Sequence, residues 1–75
     1  MLTLENHKEI WRAIEAEATK ARREVAKAEK KANLLCDQSP ESALLCAMLY
    51  VKRATSAAVT TTAGAYFDDY IRPHL

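Results

Sequence analysis

From Leu4 onward, apolar residues return every third or fourth position: Leu4, Trp11, Ile14, Ala18, Ala21, Val25, Ala28, Ala32 and Leu35. His7 fills the place that would otherwise break the series. Such spacing, sustained over more than four heptads, lines one face of an α-helix. Glu, Lys and Arg fill the remaining positions. The acids come early (Glu5, Glu9, Glu15, Glu17) and the cations late (Lys20, Arg22, Arg23, Lys27, Lys30, Lys31), the order that complements the helix dipole. A first helix is predicted over about 4–36, capped either by Asn6 with Glu9 at capping-box spacing or by Thr3.

The pattern breaks at DQSPES. Ser39 suits an N-cap, and Pro40 suits the first helical position, where a missing N–H is harmless. A turn of about three residues, 37–39, forces the second helix back antiparallel to the first. That helix is predicted over about 40–71, ending where Arg72 precedes Pro73 and is biased away from helical angles. Its weak point is Val59-Thr60-Thr61-Thr62-Ala63-Gly64, which forfeits about 3 kcal/mol of helix propensity relative to alanine. A strand there would find no partner strand in the chain, so a helix is expected, with room for a bend.

Between Ser42 and Phe67 only Lys52 and Arg53 are charged. With a short turn, Val25 should meet Val51, Ala28 meet Met48, Ala32 meet Leu44, Ala18 meet Ala58 and Trp11 meet Ala65. Glu24 then lies beside Lys52, and Lys8 beside Asp68. This assigns the stripe Leu44, Met48, Val51, Thr55, Ala58, Thr62 and Ala65 to the first helix. A second stripe, Ala43, Ala47, Tyr50, Ala54, Ala57, Thr61 and Gly64, keeps the same spacing and is nearly all small. One hairpin covers only one side of a helix, so the second stripe requires another partner. The expectation is a homodimer, two hairpins forming an antiparallel four-helix bundle with Ala47, Tyr50, Ala54, Ala57, Thr61 and Gly64 at its interface. The rival occupant is a helix of a different protein.

Seventy-five residues make a single domain, 1–75, close to the size below which a chain needs a staple. Cys36, Cys46, His7 and His74 show no metal-ligand spacing, so neither a metal nor any other cofactor is expected. About 10 Å of helix separates Cys46 from the turn, too far for a bridge to Cys36, and both thiols are expected to be small buried or half-buried groups. Association remains as the staple. Eleven cations against ten acids create no global field. The N-terminus does not read as a signal peptide and the longest apolar run is too short for a bilayer, so a cytoplasmic protein is expected, without membrane contact.

Trp11, Tyr66, Phe67 and Tyr70 gather at the open end of the expected hairpin, where they either plug the core or dock a partner. Asp68 and Asp69 sit where the helix dipole disfavours acids, and either pair with Lys8, Arg12 or His7 or contact a basic target. The candidate partner-binding set is therefore Trp11, Tyr66, Phe67, Asp68, Asp69 and Tyr70. His7 is expected as a hydrogen-bonded histidine at the end of the core. The run Lys20 to Lys31 is read as a solvated face with pairs such as Lys20–Glu24, or else as a nucleic-acid contact. There is no Gly-rich phosphate loop and no Ser/Cys–His–acid set, so no catalytic residue is assigned and no enzyme is expected.

With its alanine-rich seam and the turn in LLCDQSPESALL, the architecture resembles the plasmid-encoded Rop family of RNA-binding hairpin dimers. In size, charged first helix and apolar second helix, it is also similar to the small helical inhibitors that phages direct at host regulators, the quorum-sensing anti-activators among them. The second resemblance implies a non-enzymatic protein that binds and inhibits a host regulatory protein. The first implies a nucleic-acid-binding dimer. A purely structural assembly subunit is the third reading.

Overall fold

A computed structural model describes residues 1–34 and 40–75 of the chain. Two helices, α1 (Leu4–Leu34) and α2 (Pro40–Tyr66), pack side by side as an antiparallel hairpin. His7 of α1 meets Tyr66 near the C-terminal end of α2, while Glu29 meets Arg53 towards the other end of the hairpin. The described residues contain no strand. The expected turn at 37–39, together with Leu35 and Cys36, lies outside the described residues.

The start of α1 is fixed by Thr3. Its Oγ1 accepts the Asn6 backbone N–H at 3.2 Å, and Asn6 Oδ1 accepts the Thr3 N–H at 3.1 Å. This is a reciprocal capping box in which Asn takes the place of the usual Glu or Gln. The α1 seam lies where its periodicity puts it. Leu4, His7, Trp11, Ile14, Ala21, Val25 and Ala32 are half-buried, and Ala18 and Ala28 are buried.

The α2 face differs from expectation by one residue of register. Its shielded positions are Ser42, Leu45, Leu49, Lys52, Ser56, Val59 and Ala63. Leu44, Met48, Val51, Thr55, Ala58, Thr62 and Ala65, assigned to α1 from the sequence, all face outward. One residue of register turns a helix by about 100°. The rotation turns Leu45, Leu49 and Val59 toward the alanine-rich face of α1, and Ala18 of α1 and Ala63 of α2 reach complete burial. It also lays the Lys52 stem over the seam, so that its ammonium reaches Glu24 Oε2 at 3.4 Å. Lys8 and Asp68 do not pair. Each finds a neighbour on its own helix: Glu5 at 3.6 Å for Lys8, and Arg72 at 2.8 Å for Asp68. Glu24 likewise bonds Lys52 and Lys27 rather than Lys20.

Through Thr60–Gly64 α2 continues unbroken. Two threonine hydroxyls satisfy themselves within the helix: Thr55 donates to the Val51 carbonyl at 3.0 Å and Thr62 to the Ala58 carbonyl at 2.8 Å. Bonding of this kind makes β-branched threonine tolerable in a helix interior.

The C-terminal end departs from the expected α-helix to residue 71. After Tyr66 the chain widens into a π-turn (Phe67–Ile71) and then tightens into a 3-10 turn (Arg72–His74). Pro73 has no N–H to donate and its ring collides with the carbonyl four residues back, so an α register cannot run through it. In the wider turn, the Arg72 N–H bonds the Phe67 carbonyl and Ile71 is buried. Arg72 keeps helical angles, φ −53° and ψ −40°, because Pro73 enters a fresh turn at a position that needs no N–H.

The hairpin is a rod of 54 × 18 × 14 Å. Its radius of gyration is 16.8 Å, against about 11 Å for a compact domain of this length. Among the described residues the buried apolar side chains are Ala18, Ala28, Ala63 and Ile71, none of them large except Ile71. Accessible surface totals 5699 Å², roughly 1,000 Å² more than a compact monomer of 8.4 kDa exposes.

Candidate functional site

Two surfaces stand out, the open end and the outward face of α2. At the open end, the seam position His7 lets α1 contact both Tyr66 and Tyr70. His7 Nδ1 lies 2.8 Å from the Tyr66 hydroxyl. Its ring stacks on Tyr70, with centroids 5.0 Å apart and 18° between planes. Tyr66 and Tyr70 are themselves in contact at 4.7 Å. On the other flank Trp11 tilts against Phe67 at 5.4 Å. Lys8, Trp11, Arg12, Phe67, Ile71 and Leu75 surround a hollow of about 230 Å³ there.

The structure thus brings Trp11, Tyr66, Phe67 and Tyr70 together but gives them different exposures. Trp11, Tyr66 and Phe67 are half-buried against one another or His7, as an end plug would be. Tyr70 is 48% exposed. Asp68 is held by Arg72, whereas Asp69 is exposed and has no ion pair among the described residues. A hydrogen-bonded histidine at the end of the core is what His7 is.

The outward face of α2 carries Ala47, Tyr50, Ala54, Ala57, Thr61 and Gly64, all exposed. The register found here adds Leu44, Met48 and Val51, exposed at 62%, 47% and 66%. The sequence assignment spent these three on α1 and so missed them as surface. Thr55 and Thr62 add little polarity to this face, because their hydroxyls bond their own helix. A Cβ placed on Gly64 would meet nothing within 4 Å, so nothing inside the hairpin requires glycine there. Cys46, expected to be buried or half-buried, is exposed.

Across the hairpin Arg53 bonds Glu29 at 3.0 Å, and Arg22 bridges Thr19 and Thr60 at 3.4 and 3.3 Å. The Glu24 carboxyl is held below its ordinary value of 4.5, first by the Lys52 hydrogen bond and then by the Lys27 charge. Among the described residues no group of three His, Cys, Asp or Glu side chains could hold a metal ion. No helix there is long and apolar enough to cross a membrane.

Neither a family model, nor a curated protein sequence, nor a solved structure matches this chain significantly.

Proposed function

We propose that the chain is a non-enzymatic binding protein. Two hairpins pair through α2 into a four-helix dimer, which binds and regulates another protein through its open ends. The observation that carries the reading is the uncharged outward face of α2, with Leu44, Met48, Val51 and Tyr50 largely exposed over a core of small residues. A self-associating chain removes that face from water. The surplus of roughly 1,000 Å² of surface is comparable to the ~800 Å² that each partner of a stable interface buries.

The open end supports the regulatory half of the reading. Tyr70 offers a half-exposed ring held in place by His7, and Asp69 beside it is an exposed carboxylate with no ion pair among the described residues. An aromatic anchor with an adjacent charge suits recognition of a protein surface that offers a pocket and a cation. A regulatory protein of a host cell, as the resemblance to phage inhibitors implies, is the target class proposed.

The test has two parts. Sedimentation equilibrium should give about twice the 8.4 kDa chain mass at micromolar concentration. Affinity capture from the source cell should retain a protein on the wild type and lose it on a Tyr70→Ala/Asp69→Asn variant of unchanged helicity. A well-folded monomer removes the dimer from the reading. Equal capture by both forms removes the open end.

A further inference from the structure

The run Lys20 to Lys31 contains two acids, and both reach across to cations of α2. Glu24 and Glu29 are half-buried and are drawn to Lys52 and Arg53 of α2. Arg22 is occupied on the threonines of both helices. The remaining cations, Lys20, Arg23, Lys27, Lys30 and Lys31, are all exposed and fall within an arc of about 100° on the side of α1 away from its seam. They extend over about 16 Å of helix at 1.5 Å per residue. Lys27 has Glu24 at 3.7 Å, whereas Lys20, Arg23, Lys30 and Lys31 have no ion pair among the described residues.

The near-zero net charge conceals this strip. Residues 20–57 carry eight cations against four acids, and the rest of the chain three against six. Pairing through the outward face of α2 would leave the strip uncovered, since it lies on the far side of the other helix.

We infer that this strip is a binding site for the phosphate backbone of duplex nucleic acid, a property independent of any protein partner of the open end. A row of cations rising in steps of about 4.5–6 Å is matched by a polyanion of regular charge spacing, whose condensed counterions are released on contact. No aromatic residue stands among the cations, so unstacked bases find no platform and a single strand gains nothing over a duplex. The strip also has no large apolar side chain to enter a lipid surface, and the apolar seam of α1 is already covered by α2. Only Lys and Arg project from it, which gives contact to backbone without reading of bases.

The test is fluorescence anisotropy of the full-length protein with labelled 20-base-pair DNA and RNA duplexes, the matching single strands, and phosphatidylserine vesicles. With about four phosphates contacted, binding at 50 mM salt should weaken about a hundredfold by 200 mM. Lys20→Glu/Arg23→Glu/Lys30→Glu should abolish it, and Arg23→Gln alone should lower the salt slope by about one. A control with the same charge change at the open end, Lys8→Glu/Arg12→Glu/Arg72→Glu, should retain duplex binding. Which of the two duplexes binds tells DNA from RNA as the source of the phosphates. Absence of binding at 50 mM salt, preference for vesicles or single strands, or equal loss in the control would each overturn the assignment.

Discussion

Lys52 Nζ stands 3.4 Å from Glu24 Oε2, joining the two helices near the middle of the rod. Of the two charge pairs expected between the helices, this one forms and Lys8–Asp68 does not. The bond shapes the acid response. Glu24 is held below its ordinary value of 4.5, chiefly by Lys52, so the folded carboxyl takes up a proton less readily than the unfolded one. Its contribution is therefore fully present above the ordinary value, and is lost as pH falls through the depressed folded value. Urea midpoints of the wild type should drop as pH falls below the ordinary value of 4.5, and Glu24→Gln should flatten that drop. Parallel curves for the two proteins would show that the pair contributes nothing.

The outward face of α2 gives a sharper test. In an isolated hairpin Val51 is 66% exposed, so Val51→Glu should change stability by no more than about 0.5 kcal/mol. In a dimer the same carboxylate is buried without a partner, and the assembly should fall to the single-chain mass of 8.4 kDa. Ala57→Glu probes the small-residue stripe in the same way, with loss of folding expected alongside loss of the dimer. If sedimentation finds an unchanged dimer for both variants, the contact lies elsewhere on the molecule.

Much of this architecture is legible in the residues. The α1 seam from Leu4 to Ala32 follows directly from spacing, because charged residues bound it on both sides. In α2 the same method loses its grip. A helix with only Lys52 and Arg53 charged between Ser42 and Phe67 has no polar face to mark its outward side, so two neighbouring stripes fit the pattern equally well. Lys52 was the available discriminator: placed on the seam, with its stem flat and its ammonium at Glu24, it selects the stripe that the structure adopts. The open-end cluster was visible as composition. Its division into packed Phe67 and half-exposed Tyr70 depends on the π-turn ahead of Pro73, which spacing at 3.6 residues per turn does not anticipate.

That division predicts different consequences for the two rings. Phe67→Ala removes the partner of Trp11 and should destabilise the fold by about 2–3 kcal/mol, read as a lower thermal midpoint. Tyr70→Ala loses its stack on His7, at about 1 kcal/mol, and should leave helicity intact. Loss of partner affinity by at least ~2 kcal/mol is expected for Tyr70→Ala, measured by calorimetry with the captured target. A Tyr70→Ala protein that unfolds like Phe67→Ala would make the whole cluster a core plug, leaving no docking role for it.

Gly64 separates the single chain from the assembly most cleanly. Within the hairpin its position is helical, its φ is not positive and an added methyl would meet open space. On these grounds Gly64→Ala should stabilise an isolated hairpin by roughly 0.5–1 kcal/mol, through the lost flexibility of the unfolded chain and the better helix propensity. If two α2 backbones approach closely at Gly64, the same methyl enters the contact and must push the helices apart or find a gap. Overpacking of this kind costs about 1–3 kcal/mol. The two effects act on different observables: helix stability at high dilution should rise, while the dimer dissociation constant from sedimentation should increase about fivefold or more. A Gly64→Ala protein that is more stable and equally dimeric would move the seam onto Leu44, Met48 and Val51, away from the small-residue stripe.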